Sequence, residues 1–175
     1  MSIDDYTGVK GGGAVNQFFH TLGEEWVLDD HTYDGCRMAG VPTDGQGDVI
    51  TLTIGGNDLL CCRDKYLSEG LDRFADEHLQ LLRAIRSANP KSIFIVGDIY
   101  APHAELSSAE QEGLTAANTI IAANCKTVEA RPARIHKMFL GNESAYLCLG
   151  IEPTLEGAKA IARLFDSAYK EGLAS

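Results

Sequence analysis

The sequence predicts an α/β fold, a three-layer α/β/α sandwich with a mainly parallel sheet. Three observations carry this. Two β-rich runs, Val49–Ile54 (VITLTI) and Ser92–Val96 (SIFIV), are apolar almost without interruption, as in strands covered on both faces. Each run gives way to a stretch with helical spacing of its apolar residues, and such alternation of strand and helix builds a parallel sheet between helical layers. Each run also ends at glycine, in Gly55-Gly56-Asn57-Asp58 and Gly97-Asp98, on the carboxyl edge where such sheets bind ligands. The chain has 175 residues, enough for one domain over 1–175 with a sizeable core.

Taken in order, the first helix is expected over Ala14–Leu22, after the glycine run Gly11-Gly12-Gly13. That run lacks Walker or GxGxxG spacing and reads as a flexible loop. Trp26–Leu28 is a short strand candidate, and Val49–Ile54 is the first clear strand. The clearest helix is expected over Leu67–Ala88, where Leu67, Leu71, Phe74, Leu79, Leu82 and Ile85 follow helical spacing and Asn89-Pro90 stops it. Ser92–Val96 is the second strand. A helix follows over Ser107–Ala123, with Ser108 and Gln111 in capping-box spacing. Thr127–Ala130 is a short strand candidate. The last helix is expected over Thr154–Ala168, capped by Thr154 with Glu156 in its first turn.

Composition narrows the function. There are 25 acidic and 15 basic residues, a net charge of −10, which argues against binding a phosphate backbone. The five cysteines (36, 61, 62, 125 and 148) have neither an even count nor CxxC spacing, so they read as buried free thiols in a reducing compartment rather than disulfides or zinc ligands. MSIDDYTGVKGGG has no basic or apolar leader region, and the apolar runs fall short of the ~20 residues of a membrane span. The expectation is a cytoplasmic protein with no nucleic-acid partner and no membrane span. Oligomeric state is not legible.

The stretch VITLTIGGNDLL raises the functional question. Glycines at a strand's carboxyl end permit unusual dihedrals and close approach of a ligand, and the Asn57 amide can donate to a developing negative charge, as an oxyanion hole requires. A glycine turn with Asn capping the next helix explains the same residues. In its α/β context, Gly55-Gly56-Asn57-Asp58 resembles the third block of the SGNH (GDSL-type) hydrolases, whose fold is flavodoxin-like. Cys36-Arg37-Met38-Ala39-Gly40-Val41-Pro42 is similar to the second block, and GIEPTLEGAKAIARLF, residues 150–165, is similar to the fifth. The resemblance implies that Gly40, through its backbone N–H, and Asn57 are oxyanion donors. Gly56 and Asp58 beside Asn57, and His103 in the loop after the strand Ser92–Val96, are expected on the rim that faces a substrate, although an exposed loop position explains His103 as well. It implies hydrolysis of a small-molecule ester or acylated carbohydrate, with no cofactor and no metal.

The resemblance breaks at the catalytic residues. Where the family carries His and, three residues earlier, Asp, this chain has Glu152 and Leu149. A carboxylate is a weak base at its ordinary pKa of ~4.3 unless burial raises it. Where a strand and Gly-Asp-Ser are expected, the chain offers Met1-Ser2-Ile3-Asp4-Asp5, too short for the strand. One expectation places the strand and its nucleophile upstream of Met1, because a parallel sheet without its central strand leaves edges unpaired. The other places Asp5 at the nucleophile position, in a degenerate member that binds without hydrolysing. Only Thr43–Asp48 links the second block to the strand at Val49, which leaves one sheet face thinner or open to a partner. Among the histidines, His20 and His78 lie in expected helices and read as surface or boundary residues, and His136 as structural. Convergence of Asp4, Asp5, Asp58 and Glu152 on a hard cation would rest on the alignment where it breaks.

Overall fold

The computed structural model describes residues 4–62, 66 and 70–174. A short helix α1 (Asp4–Thr7) leads to α2 (Ala14–Leu22), and a long irregular segment follows, closed by a 3-10 turn at Met38–Gly40. Strand β1 (Val49–Thr53) runs into helix α3 (Gly56–Cys61). Helix α4 (Asp72–Ala88), strand β2 (Ile93–Gly97), helix α5 (Ser108–Thr127) and strand β3 (Arg131–Ala133) come next. Two short helices, α6 (Ile135–Phe139) and α7 (Glu143–Tyr146), precede the two-residue strands β4 (Leu147–Cys148) and β5 (Glu152–Pro153) and the final helix α8 (Leu155–Leu173).

The main sheet has the order β1-β2-β3, all parallel, with Val49 opposite Ile93 and Gly97 opposite Ala133; β4 and β5 form a separate antiparallel pair. Alternate strand residues point to opposite faces. Leu52, Phe94 and Val96 pack with Phe74, Leu82 and Ile121 of α4 and α5. Ile95 packs on the other face with Phe18, Ile161 and Phe165 of α2 and α8, where the Phe18 and Phe165 rings meet edge-on at 5.9 Å. Each such side chain stabilises the fold by roughly 1.5–3 kcal/mol when removed from water. Helices on both faces make the three-layer sandwich that the apolar strand runs imply. At the amino end of the sheet, the Arg86 guanidinium donates to the carbonyls of Val128, Asn89, Ser92 and Glu129, locking the end of α4 against the α5–β3 turn.

Several element readings need correction. Trp26–Leu28 is not a strand: Trp26 packs edge-on against Tyr169 at 6.2 Å, and Val27 is exposed. The helix expected from Leu67 starts at Asp72, because Gly70 takes a left-handed φ of +75°; Leu67 lies outside the described residues. The capping box of α5 is built by Ser107 and Glu110, one residue before the expected pair. The Glu110 carboxylate accepts from both the Ser107 N–H and its hydroxyl. The strand expected at Thr127–Ala130 lies at Arg131–Ala133, since α5 continues through Thr127 and Glu129 turns the chain at φ +55°. Pro132 sits within that strand, which an edge position tolerates. The Thr154 cap of α8 forms as expected, its hydroxyl accepting from Gly157 N–H at 3.1 Å. Of the cysteines, Cys125 is buried, Cys36, Cys62 and Cys148 are half-buried and Cys61 is exposed, all of them free. His78, expected at a boundary, is completely buried. Among the described residues, no helix is long and apolar enough to cross a membrane.

Candidate active site

The turn after β1 is shaped by Gly55. Its φ of +102° is left-handed, and a Cβ there would press against the Phe74 ring at 3.0 Å. Gly55 thereby turns the chain sharply into α3 and sets Asn57 in the first turn, on the carboxyl edge of the sheet. One N–H of the Asn57 amide donates to Cys36 O at 3.0 Å. A primary amide carries a second N–H on the same nitrogen.

Asp58 turns the other way. It is buried and accepts from Met38 N–H with both carboxylate oxygens, at 3.3 and 3.1 Å, pinning the 3-10 turn to α3. Burial pushes its carboxyl above the ordinary range, and the Met38 N–H opposes that. Gly40 ends the same turn. Its N–H donates to Arg37 O at 2.8 Å, and the Tyr33 hydroxyl donates to its carbonyl at 3.4 Å. The backbone donor expected to face an oxyanion is therefore engaged in the turn.

A cavity of about 890 Å³ opens beside these elements. It brings together Gly56, Asn57 and Glu152. Gly40, Asp58 and His103 are not among its described lining residues. His103 is exposed, with its backbone N–H donating to Gly150 O at 2.7 Å. Asp5 belongs to α1, and its side chain lies outside the described atoms. Glu152 is half-buried on β5; burial raises its carboxyl pKa, and the nearby charge of Asp34 adds to the rise. That shift favours a carboxylate able to take up a proton nearer neutrality. Leu149 stands 81% exposed with φ +50° and orients nothing. Among the described residues, no group of three or more His, Cys, Asp or Glu is placed to hold a metal ion.

Three features in or beside the cavity were given no role by the sequence. Asp98, at the end of β2, is buried in the wall and accepts from His136 N–H at 2.8 Å, and burial raises its pKa. Its position after a strand-ending glycine was the available signal. The Asn118 side chain of α5 pairs with both backbone groups of Ile99, accepting from its N–H at 2.9 Å and donating to its carbonyl at 2.8 Å, which fixes the Asp98–Tyr100 segment. His31 lines the cavity mouth, its ring bonded to Asp29 at 3.0 Å, both on the irregular segment where no periodicity marks them.

No family model matches the sequence, and no curated protein matches it. Solved structures do match the fold. A lipase from a goat rumen metagenome superposes with a TM-score of 0.75 at 19% identity, over 89% of this chain and 87% of that one. A member of the lipolytic protein G-D-S-L family from Veillonella parvula gives 0.70 at 13% identity, over 93% and 90%. An extracellular lipase from Streptomyces rimosus gives 0.58 at 20% identity, over 77% of each chain. With sheet order, flanking helices and the Gly-Gly-Asn-Asp turn already in place, these likenesses show that the chain has the fold of the SGNH (GDSL-type) lipases and esterases.

Proposed function

We propose that this domain is an SGNH-type acyl site that holds a small-molecule ester or acylated carbohydrate, its carbonyl oxygen toward the Asn57 amide, and binds it with little turnover. The observation that carries the reading is the cavity itself. Asn57 and Glu152 share it. Ester hydrolysis on this plan needs a hydroxyl nucleophile, a base within hydrogen-bond reach and an oriented partner for that base. Asn57 supplies a donor, Glu152 a carboxylate of raised pKa, and Leu149 no orienting group.

The test compares wild type with Asn57→Ala, using p-nitrophenyl butyrate for turnover and its non-hydrolysable ketone analogue for calorimetric binding. The expected result is analogue binding weakened about tenfold in the variant, the equivalent of one hydrogen bond of ~1.4 kcal/mol. Hydrolysis should stay at the buffer rate in both proteins. Binding indifferent to the substitution would remove Asn57 from the site. Turnover well above buffer would favour a second reading, a working hydrolase whose nucleophile comes from a segment preceding α1. Among the described residues β1 is an edge strand, paired only with β2, which favours that reading, and intact-mass and N-terminal sequencing of the protein from its source cells would identify such a segment.

A further inference from the structure

The charges that face the cavity are of one sign. Its described lining residues include aspartates and glutamates but no lysine or arginine. The chain carries 15 lysines and arginines against 25 acidic residues, so composition alone does not produce this exclusion. Arg37, next to Cys36, is exposed and is not among the lining residues; its charge acts on Tyr33 and Asp58. A cleft lined by one sign of charge concentrates ligands of the opposite sign and turns away those of its own.

Most of these carboxylates are already engaged or stand elsewhere. Asp29 is bonded to His31 at 3.0 Å, and Asp30 accepts from the N–H and the hydroxyl of Thr32 at 2.9 and 2.6 Å. Asp98 holds His136 N–H, and the Glu25 carboxylate lies against Gly23. Asp48 precedes β1, at the other end of the strand from Asn57. Asp34 and Glu152 differ from these. Asp34 accepts from the Tyr6 hydroxyl through Oδ2 at 2.8 Å, which leaves Oδ1. Glu152 is half-buried, and among the described residues neither carboxylate is in an ion pair. The two stand close enough that, on top of burial, the charge of Asp34 raises the Glu152 pKa. A cation placed between two such carboxylates is attracted by both.

The surroundings say which kind of cation. Tyr6 lines this corner, Tyr33 precedes Asp34 and is half exposed, and Tyr100 donates to Ile151 O at 3.0 Å, next to Glu152. Aromatic faces attract ammonium groups, and no group of three or more His, Cys, Asp or Glu among the described residues is placed to hold a metal ion. Asp34 is also near the acyl end. It is two residues from Cys36, whose carbonyl accepts from the Asn57 amide at 3.0 Å, so at most about 7 Å separates the Cα atoms of Asp34 and Cys36. An ester with a spacer of a few bonds spans that interval.

We propose that the ligand of this cavity is an ammonium-bearing ester, its acyl carbonyl toward Asn57 and its cationic end between Asp34 and Glu152 beside the tyrosines. The proposal rests on the acyl reading of Asn57 given above and adds the charge of the group at the far end.

The test is calorimetric titration of the chain with three methyl ketones that differ only in their far end: tert-butyl, its isostere trimethylammonium, and a carboxylate in the same place. The trimethylammonium ketone should bind about tenfold more tightly than the tert-butyl ketone, and the carboxylate ketone more weakly than both. Salt at about 0.5 M should shrink the preference, because the facing charges are partly exposed. Asp34→Asn keeps an acceptor for Tyr6 and should reduce the preference about threefold, without moving tert-butyl binding. Glu112→Gln makes the same change in net charge on the exposed surface of α5 and should leave the preference intact. Should Asp34→Asn fail to fold, the three ketones on the wild-type chain decide alone. Equal affinity for the cationic and neutral ketones would overturn the inference, as would tighter binding of the carboxylate or a preference that Glu112→Gln reduces as much as Asp34→Asn does. Asn57→Ala separates this inference from the reading beneath it. A trimethylammonium preference in a variant that binds all three ketones as wild type does would keep the cation site and remove the acyl reading. Asn57-dependent binding without a preference would keep the acyl reading and overturn the inference, and no binding of any ketone would overturn both.

Discussion

Acidification should strain this fold at His78. The ring is fully buried, stacked on Phe74 at 5.9 Å, and its Nδ1 faces the Asn124 amide nitrogen at 3.2 Å. Asn124 Nδ2 also donates to Ala75 O at 3.0 Å, which fixes it as a donor and makes Nδ1 of His78 an acceptor. The neutral ring then carries its proton on Nε2, which is buried without a partner among the described residues. Protonation would put a charge in apolar surroundings and set a donor against a donor, and burial accordingly lowers the pKa from 6.5 to about 4. The unfolded chain takes up this proton near pH 6.5 and the folded protein does not until about pH 4. Stability is therefore whole above 6.5 and falls progressively between 6.5 and 4. At about 1.4 kcal/mol per decade the loss approaches about 3 kcal/mol. Asp58 and Asp98, with raised pKa values, act in the opposite sense and favour the folded state as the pH falls. The contribution of His78 is isolated by comparing urea unfolding of wild type and His78→Leu at pH 7, 6, 5 and 4.5. Between pH 7 and 4.5 the variant's profile should be flatter by roughly 2–2.5 kcal/mol. Parallel profiles for the two proteins would refute the assignment of the acid sensitivity to His78.

Two further outcomes follow from the site's framework. Gly55→Ala should cost more than about 1 kcal/mol in chemical denaturation, since it combines a left-handed φ with a Cβ against Phe74; an unchanged midpoint would mean that α3 starts some other way. Asp58→Ala leaves Met38 N–H without its acceptor and should cost about 1–3 kcal/mol, with faster amide exchange at Met38 than in wild type. Unaltered exchange there would remove Asp58 as the pin of the 3-10 turn.

What the sequence reveals and what it hides divide along physical lines. VITLTI and SIFIV declare themselves because a strand between two helical layers concentrates β-branched and apolar residues in a short run, and Thr154 declares α8 because its cap acts within one turn. Local competition is harder to read. Ser107-Ser108 offers two overlapping capping boxes, and the carboxylate of Glu110 outcompetes the amide of Gln111 by accepting twice. The Arg131–Ala133 strand is masked by its own proline, which only the edge position makes acceptable. His78 misleads because a polar residue on an amphipathic helix reads as exposed, whereas Asn124, 46 residues away, meets its ring in the core. Within the site, Gly55-Gly56-Asn57 is legible because a strand-to-helix turn is local. The partners that shape the cavity, Tyr6 with Asp34 and Asn57 with Cys36, lie 28 and 21 residues apart, and Asp34 and Cys36 both sit on the irregular segment, where no periodicity points to them.

The pairing of Asn118 with Ile99 has a consequence for how the rim can vary. The amide imitates a neighbouring strand residue and carries the anchoring of Asp98–Tyr100 one step past the end of the sheet. After Tyr100 the chain is tied back once more, by His103 N–H to Gly150 O at 2.7 Å, and the part from Ala104 to Leu106 lies beyond that tie. That stretch can be lengthened at the cost of loop entropy alone, about 0.6 kcal/mol for each doubling, while the wall beneath keeps its shape. Residues 104–106 are thus the place where an insertion leaves both the Asn118–Ile99 pair and the His103–Gly150 bond in place.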